Sequence, residues 1–245
     1  MNTGSEPSNR NDLTYKLTDV EVDAISQRAS VLFNNFTDNK DVKSLKIAIS
    51  LMEQAIEKCL FANDDDLAYC YRRYASIIIR DESNPERYHL AQKALDYALN
   101  IYEFSAIHPD ILQLESQRAL HQMRKIAYEL KDGELLEQVT DKFLPMAKKN
   151  SDTNFLSDCY ESQFHLAFAK SDFTAAFAAI DKSAELEKDP VNANRHRIKV
   201  HLAILQTSTD TLEQKQTYLE KNIVKPFWLI YDKQKKILAD NPDAH

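Results

Sequence analysis

Glu86-Arg87-Tyr88-His89 sets a carboxylate and an imidazole three residues apart. On a helix that spacing puts both on one face. It is the ligand spacing of di-iron carboxylate bundles, where two such pairs converge with two further inward carboxylates. The chain has no second Glu-x-x-His, because Glu161 and His165 stand four apart. Behind Pro85, the first pair reads as the solvated opening turn of a helix. His196 and His201 are five apart, which rotates them off a common face and argues against a two-histidine metal site there. Asp64-Asp65-Asp66 has the charge of a calcium loop but not its pattern, which needs Gly sixth and Glu twelfth. Counted from Asp64, those places hold Tyr69 and Ala75. The triplet suits a helix N-terminus, where carboxylates meet the positive end of the dipole. Cys59, Cys70 and Cys159 are an odd set without C-x-x-C spacing, so neither a disulfide framework nor a zinc site is expected. No Walker loop or G-x-S-x-G elbow is present. The residues therefore point to a non-enzymatic protein with no catalytic residues, no cofactor and no metal.

The elements that carry these side chains are helices. Gly4 and Gly133 are the only glycines in 245 residues, where average usage of ~7% would supply roughly 17. Such a chain cannot build glycine-cradled phosphate loops or many hairpins. Net charge is −7 and the pI about 5.5, which argues against a nucleic-acid partner. The longest apolar run, Ala175 to Ile180, falls far short of the ~18 residues of a membrane span. Residues 1–12 are polar and lack a signal-peptide core; they read as a disordered leader. The expectation is a cytoplasmic protein.

Apolar residues recur at steps of three and four throughout. Thr18-Asp19-Val20-Glu21 reads as a capping box ahead of the stripe Val22, Ile25, Ala29, Leu32. Asn84-Pro85, Pro109, Asp132-Gly133, Ser151-Asp152, Ser171-Asp172 and Asp189-Pro190 open further helices. Pro145 is expected to bend or end its helix. About eleven helices result, joined by short turns that make neighbours antiparallel. Residues 13–225 form the helical domain, and 226–245 a C-terminal capping helix and tail.

One signature recurs on alternate helices: a small residue, a large one four on, and a small or medium one three further. It appears at Ala48, Met52, Ala55; Ala91, Leu95, Ala98; Val139, Phe143, Met146; and Ala176, Ile180, Ser183. On these residues the chain resembles the tetratricopeptide-repeat family. Tyr160 to Lys188, with the turn Ser171-Asp172-Phe173, is the best match, and Met123 to Met146 the second. The departures are unit starts 43, 48 and 37 residues apart instead of ~34, and no Trp in any unit. The resemblance implies an all-α, right-handed superhelix of antiparallel hairpins, a TPR-like α-solenoid. Its concave groove would be lined by Tyr69, Arg72 and Ser76, by His121, Arg124, Tyr128 and Lys131, and by Asp158, Glu161, His165 and Phe168, with Arg195, His196 and Lys199 joining from the ninth helix.

Arg supplies a planar fork for carboxylates and Tyr a rigid amphipathic ring. That groove suits a protein or peptide partner presenting an acidic segment or a C-terminal carboxylate. The asparagines of the family's chaperone-tail clamp do not occur at the matching places. Two other readings stand beside the scaffold: a peptide-responsive regulator acting through protein contacts, and an all-helical enzyme with a spatially assembled site. In the last helix, Phe227, Trp228 and Tyr231 either cap the repeats or form a patch for a homodimer, with Lys233, Lys235 and Lys236 outward.

Overall fold

The computed structural model describes residues 15–60, 64–105, 107–150, 153–186, 190–226 and 229. The proposed leader and the last-helix residues Phe227, Trp228, Tyr231, Lys233, Lys235 and Lys236 lie outside the described residues. The described residues hold ten α-helices and no strand, in two compact units. The first unit, Met1–Lys149, contains α1 (Val20–Asn39), α2 (Val42–Cys59), α3 (Asp64–Ile78), α4 (Arg87–Glu103), α5 (Pro109–Leu130) and α6 (Gly133–Asn150), whose last residue crosses the boundary. The second, Asn150–His245, contains α7 (Thr153–Ala169), α8 (Phe173–Leu186), α9 (Pro190–Thr207), α10 (Leu212–Leu219) and a π-helical turn, Glu220–Val224.

Three hairpins turn by one local device. Lys40, Lys131 and Ser171 are left-handed, with φ of 58°, 55° and 58°. Each is followed by an aspartate, Asp41, Asp132 or Asp172, whose carboxylate accepts a backbone amide of the next helix: Lys43 at 3.0 Å, Leu135 at 2.9 Å and Ala175 at 3.0 Å. In the second and third turns, the Asp132 and Asp172 amides donate to the carbonyls of Ala127 and Ala167, both at 2.9 Å. This closes the preceding helix as a Schellman turn does. A non-glycine residue in this region is disfavoured by roughly 1–2 kcal/mol, so a chain nearly without glycine carries the strain on lysine and serine. Gly133 is not a positive-φ residue; it is the first residue of α6.

Two local expectations change. Helix α1 is capped by Asp19, which accepts from the amides of Glu21 and Val22 at 2.8 and 3.0 Å. Thr18 instead donates its hydroxyl to the buried Asp66 at 2.7 Å. Asp66 also accepts from the Tyr15 hydroxyl and from the amides of Thr18 and Asp19. The third aspartate of the triplet thus ties the start of α3 to the entry of α1. Pro145 lies inside α6 rather than at its end. Beyond it, Met146 is only half-buried and Ala147 takes the buried position.

The other signature residues are all buried: Ala48, Met52 and Ala55; Ala91, Leu95 and Ala98; Val139 and Phe143; Ala176, Ile180 and Ser183. Alanine lets neighbouring helices approach, and the large residue between fills the gap at crystal-like density. In the first unit, α2 packs against α1 and α3, and α4 against α3 and α5. Cys59 and Cys70 meet across α2 and α3 with sulfurs 3.9 Å apart, both buried free thiols. The Cys59 sulfur and burial push the Cys70 thiol up.

Between α3 and α4 a longer loop is latched by Asp81, which is buried and accepts from Lys46 and Ser83, each at 2.6 Å. Burial alone would raise this carboxyl; the hydrogen bonds from Lys46 and Ser83 outweigh it and hold the group below the ordinary carboxylate range. A carboxyl depressed in the folded state binds more protons when unfolded. Its contribution is complete above its unfolded value of about 4 and fades as pH falls through its folded value. The denaturation midpoint of the wild type should therefore fall more steeply on acidification below about pH 4 than that of Asp81→Asn. Parallel profiles would show that the latch contributes nothing.

Candidate functional site

Helices α3 and α5 lie side by side and run parallel: Arg72 pairs with Glu115, and one turn further along α3 and two along α5 Ser76 pairs with Gln122. Glu115 is fully buried, and the Arg72 side chain is 7% exposed. One Glu115 oxygen accepts from Arg72 Nε; the other accepts from Arg118 at 2.7 Å. The Arg72 guanidinium stands 5.2 Å from the Tyr69 ring centroid. Gln122 donates to the Ser76 hydroxyl at 2.6 Å, and that hydroxyl donates to the Arg72 carbonyl at 3.1 Å. A quarter turn round α3 from Arg72, Arg73 donates to Ser30 of α1 at 2.6 Å. Tyr102 of α4 is buried nearby, and burial followed by the Glu115 charge pushes its hydroxyl up.

These facts correct the groove at two positions. Arg72 and Arg124 are buried; Arg72 is spent on Glu115, and the Arg124 guanidinium lies 5.5 Å from the Tyr128 ring. At 100° per residue, both sit on the flank of their helix and not on its outward stripe. The stripe on α3 is Tyr69, Arg73 and Ser76, with Arg80 in the turn just beyond the end of the helix, and that on α5 is Arg118, His121, Lys125 and Tyr128, with the acid Glu129 beside it. Arg80, Lys125 and Glu129 are exposed and the others half-buried. Counting steps of three and four from Tyr69 and Tyr128 reaches Arg73 and Lys125; transfer of the repeat pattern missed them. Lys131, the left-handed residue that closes α5, is exposed.

In the second unit, His165 is half-buried on α7 and Lys199 exposed on α9, while the Arg195 side chain lies outside the described residues. His165 belongs to a cluster whose members the repeat resemblance put on one surface, though no ligand spacing marked them as a set. Glu161 and His165, one turn apart on α7, meet His196 of α9, and their ligating atoms all lie within 4.8 Å of one another. His196 Nε2 is 3.8 Å from the Glu161 carboxylate. Phe164 stacks on the His196 ring, centroids 4.9 Å apart and planes 11° apart. His201 points elsewhere, as its spacing from His196 predicts. It is hydrogen-bonded to the Tyr218 hydroxyl at 2.9 Å and held below its usual range by burial and then by Arg197. Glu86 and His89 are both exposed at the start of α4.

No protein-family model matches the chain, and no curated protein matches it. Among solved structures the chain is similar to BtubC (BKLC) from P. vanneervenii, at 13% identity and a TM-score of 0.55, over 91% of this chain and 92% of that one. That likeness concerns the fold alone. A de novo designed helical repeat protein, DHR64, matches at 16% identity and a TM-score of 0.29, over 90% of this chain and 97% of that one. No helix among the described residues is long and apolar enough to cross a membrane.

Proposed function

We propose that this protein is a non-enzymatic, tetratricopeptide-like scaffold that docks an extended acidic segment of a partner protein on the α3–α5 face. The observation that supports this reading is the pair of parallel basic and aromatic stripes on adjacent helices, in a chain of net charge −7. Arg80, Lys125 and Lys131 give the field that attracts carboxylates, while Tyr69 and Tyr128 give rigid rings that lose little entropy on contact. The buried Arg72–Glu115 pair, which Arg118 joins from the surface, holds the two stripes in register. Such a surface binds before it is remodelled, so the ordering cost falls on the peptide.

The test is fluorescence anisotropy with a short labelled Glu/Asp-rich peptide, and a Lys-rich peptide of equal length as control. Arg80 and Lys125 are exposed, so Arg80→Glu with Lys125→Glu leaves the core intact. This double reversal should weaken acidic-peptide binding at least about tenfold, which is 1.4 kcal/mol. Binding that is absent, indifferent to peptide charge or unchanged in the variant would reject the face.

A further inference from the structure

We infer that Glu161, His165 and His196 form a binding site for a first-row divalent metal ion, zinc above all, which staples α7 to α9. Two imidazoles and one carboxylate are the donor set of many mononuclear sites, and such a set with open positions suits zinc or ferrous iron. Glu161 and His165 are one turn apart on α7, so their ligating atoms emerge from the same face. His196 reaches them from α9, and the three donor atoms lie within 4.8 Å of one another. Around zinc, with bonds of about 2.0–2.1 Å, tetrahedral donors are about 3.4 Å apart. The Glu161 to His196 separation of 3.8 Å is already near that value. The other donor separations, all within 4.8 Å, exceed it by no more than about 1.4 Å.

The rings are held for this geometry. Phe164, 1% exposed, stacks on His196 and meets the edge of His165, each ring centroid 4.9 Å away. The two imidazoles stand nearly perpendicular, centroids 5.7 Å apart. This apolar floor excludes water from one side of the ion, which strengthens each metal–ligand bond. Glu161 remains 36% exposed and His196 15%, so an ion can enter from solvent and keep one or more waters. The site belongs to the second unit and is independent of peptide docking on the α3–α5 face.

The experiment is titration of the untagged full chain with cobalt(II) and zinc(II), followed by calorimetry, visible absorption and thermal melting. The structure predicts one equivalent bound with micromolar or tighter affinity, a cobalt visible band of four- or five-coordinate intensity, and a melting temperature raised by several degrees with zinc. His196→Gln and Glu161→Gln keep the size and polarity of the side chains. Each should weaken binding at least about tenfold, whereas His89→Ala on α4 should bind as the wild type does. Millimolar or non-stoichiometric wild-type binding would overturn the proposal. So would tight binding that survives both glutamine variants, since the ion would then sit elsewhere.

Discussion

Glu115→Ala should destabilise the first unit by about 3–5 kcal/mol, the usual consequence of removing one partner of a buried ion pair. Glu115 is wholly buried and is the carboxylate partner of two guanidinium groups. Without it, Arg72 keeps its positive charge at 7% exposure, packed between α3 and α5. Arginine cannot escape by losing its proton. Arg118, 39% exposed, can swing into solvent, so the cost concentrates on Arg72. The companion variant separates charge from packing: Arg72→Met with Glu115→Leu removes both charges, and replacing a buried pair by apolar residues is often nearly neutral. Urea denaturation followed by circular dichroism reads both. A Glu115→Ala loss below about 1 kcal/mol, the range of an exposed pair, would show that Arg72 is solvated. The same geometry makes charge reversal at Arg72 and Arg124 a folding experiment, so Arg80 and Lys125 are the residues with which to test binding.

Phe164→Ala should cost the second unit about 3–5 kcal/mol, as for other buried aromatic residues cut to alanine. Phe164 is 1% exposed and belongs to the core cluster with Ala176, Ala179, Ile180 and Val200, with Phe168, Phe173, Phe177 and Ile204 packed against it. Three of those four core partners are alanine or valine, too small to fill the volume left behind. Collapse is therefore limited and the cavity term stays large. The loss should appear as faster hydrogen exchange at amides of α7, α8 and α9, because these helices meet at Phe164. A change confined to amides of α7 would mean that Phe164 does not join the three helices.

Helices and their turns were legible because both rest on local chemistry. The four apolar signatures mark buried positions at Ala48, Leu95, Phe143 and Ile180, and aspartates after a turn open helices. The turn itself was legible only in part. Glycine was the expected sign of a left-handed residue, and Lys40, Lys131 and Ser171 do that work instead. Met146 was misplaced by one residue because the helix continues past Pro145 to Asn150. The site was harder. Repeat resemblance placed Tyr69, Ser76, His121 and Tyr128 on a half-buried face, but it could not tell Arg72 from Arg73 or Arg124 from Lys125. One residue is 100° of rotation, and only Glu115, 43 residues beyond Arg72, decides which arginine turns inward. The repeat resemblance put Glu161, His165 and His196 on one groove, but as a ligand set they join residues 31 apart, His165 and His196, and no motif spacing reaches across an intervening helix.

Amide chemical-shift mapping on the isotope-labelled full chain, titrated with the Glu/Asp-rich peptide, tests the proposed docking face most directly. The account predicts saturable shifts at Tyr69, Arg73, Ser76, Arg80, Lys125 and Tyr128, suppressed by added salt. Shifts centred elsewhere, or none at millimolar peptide, would contradict it.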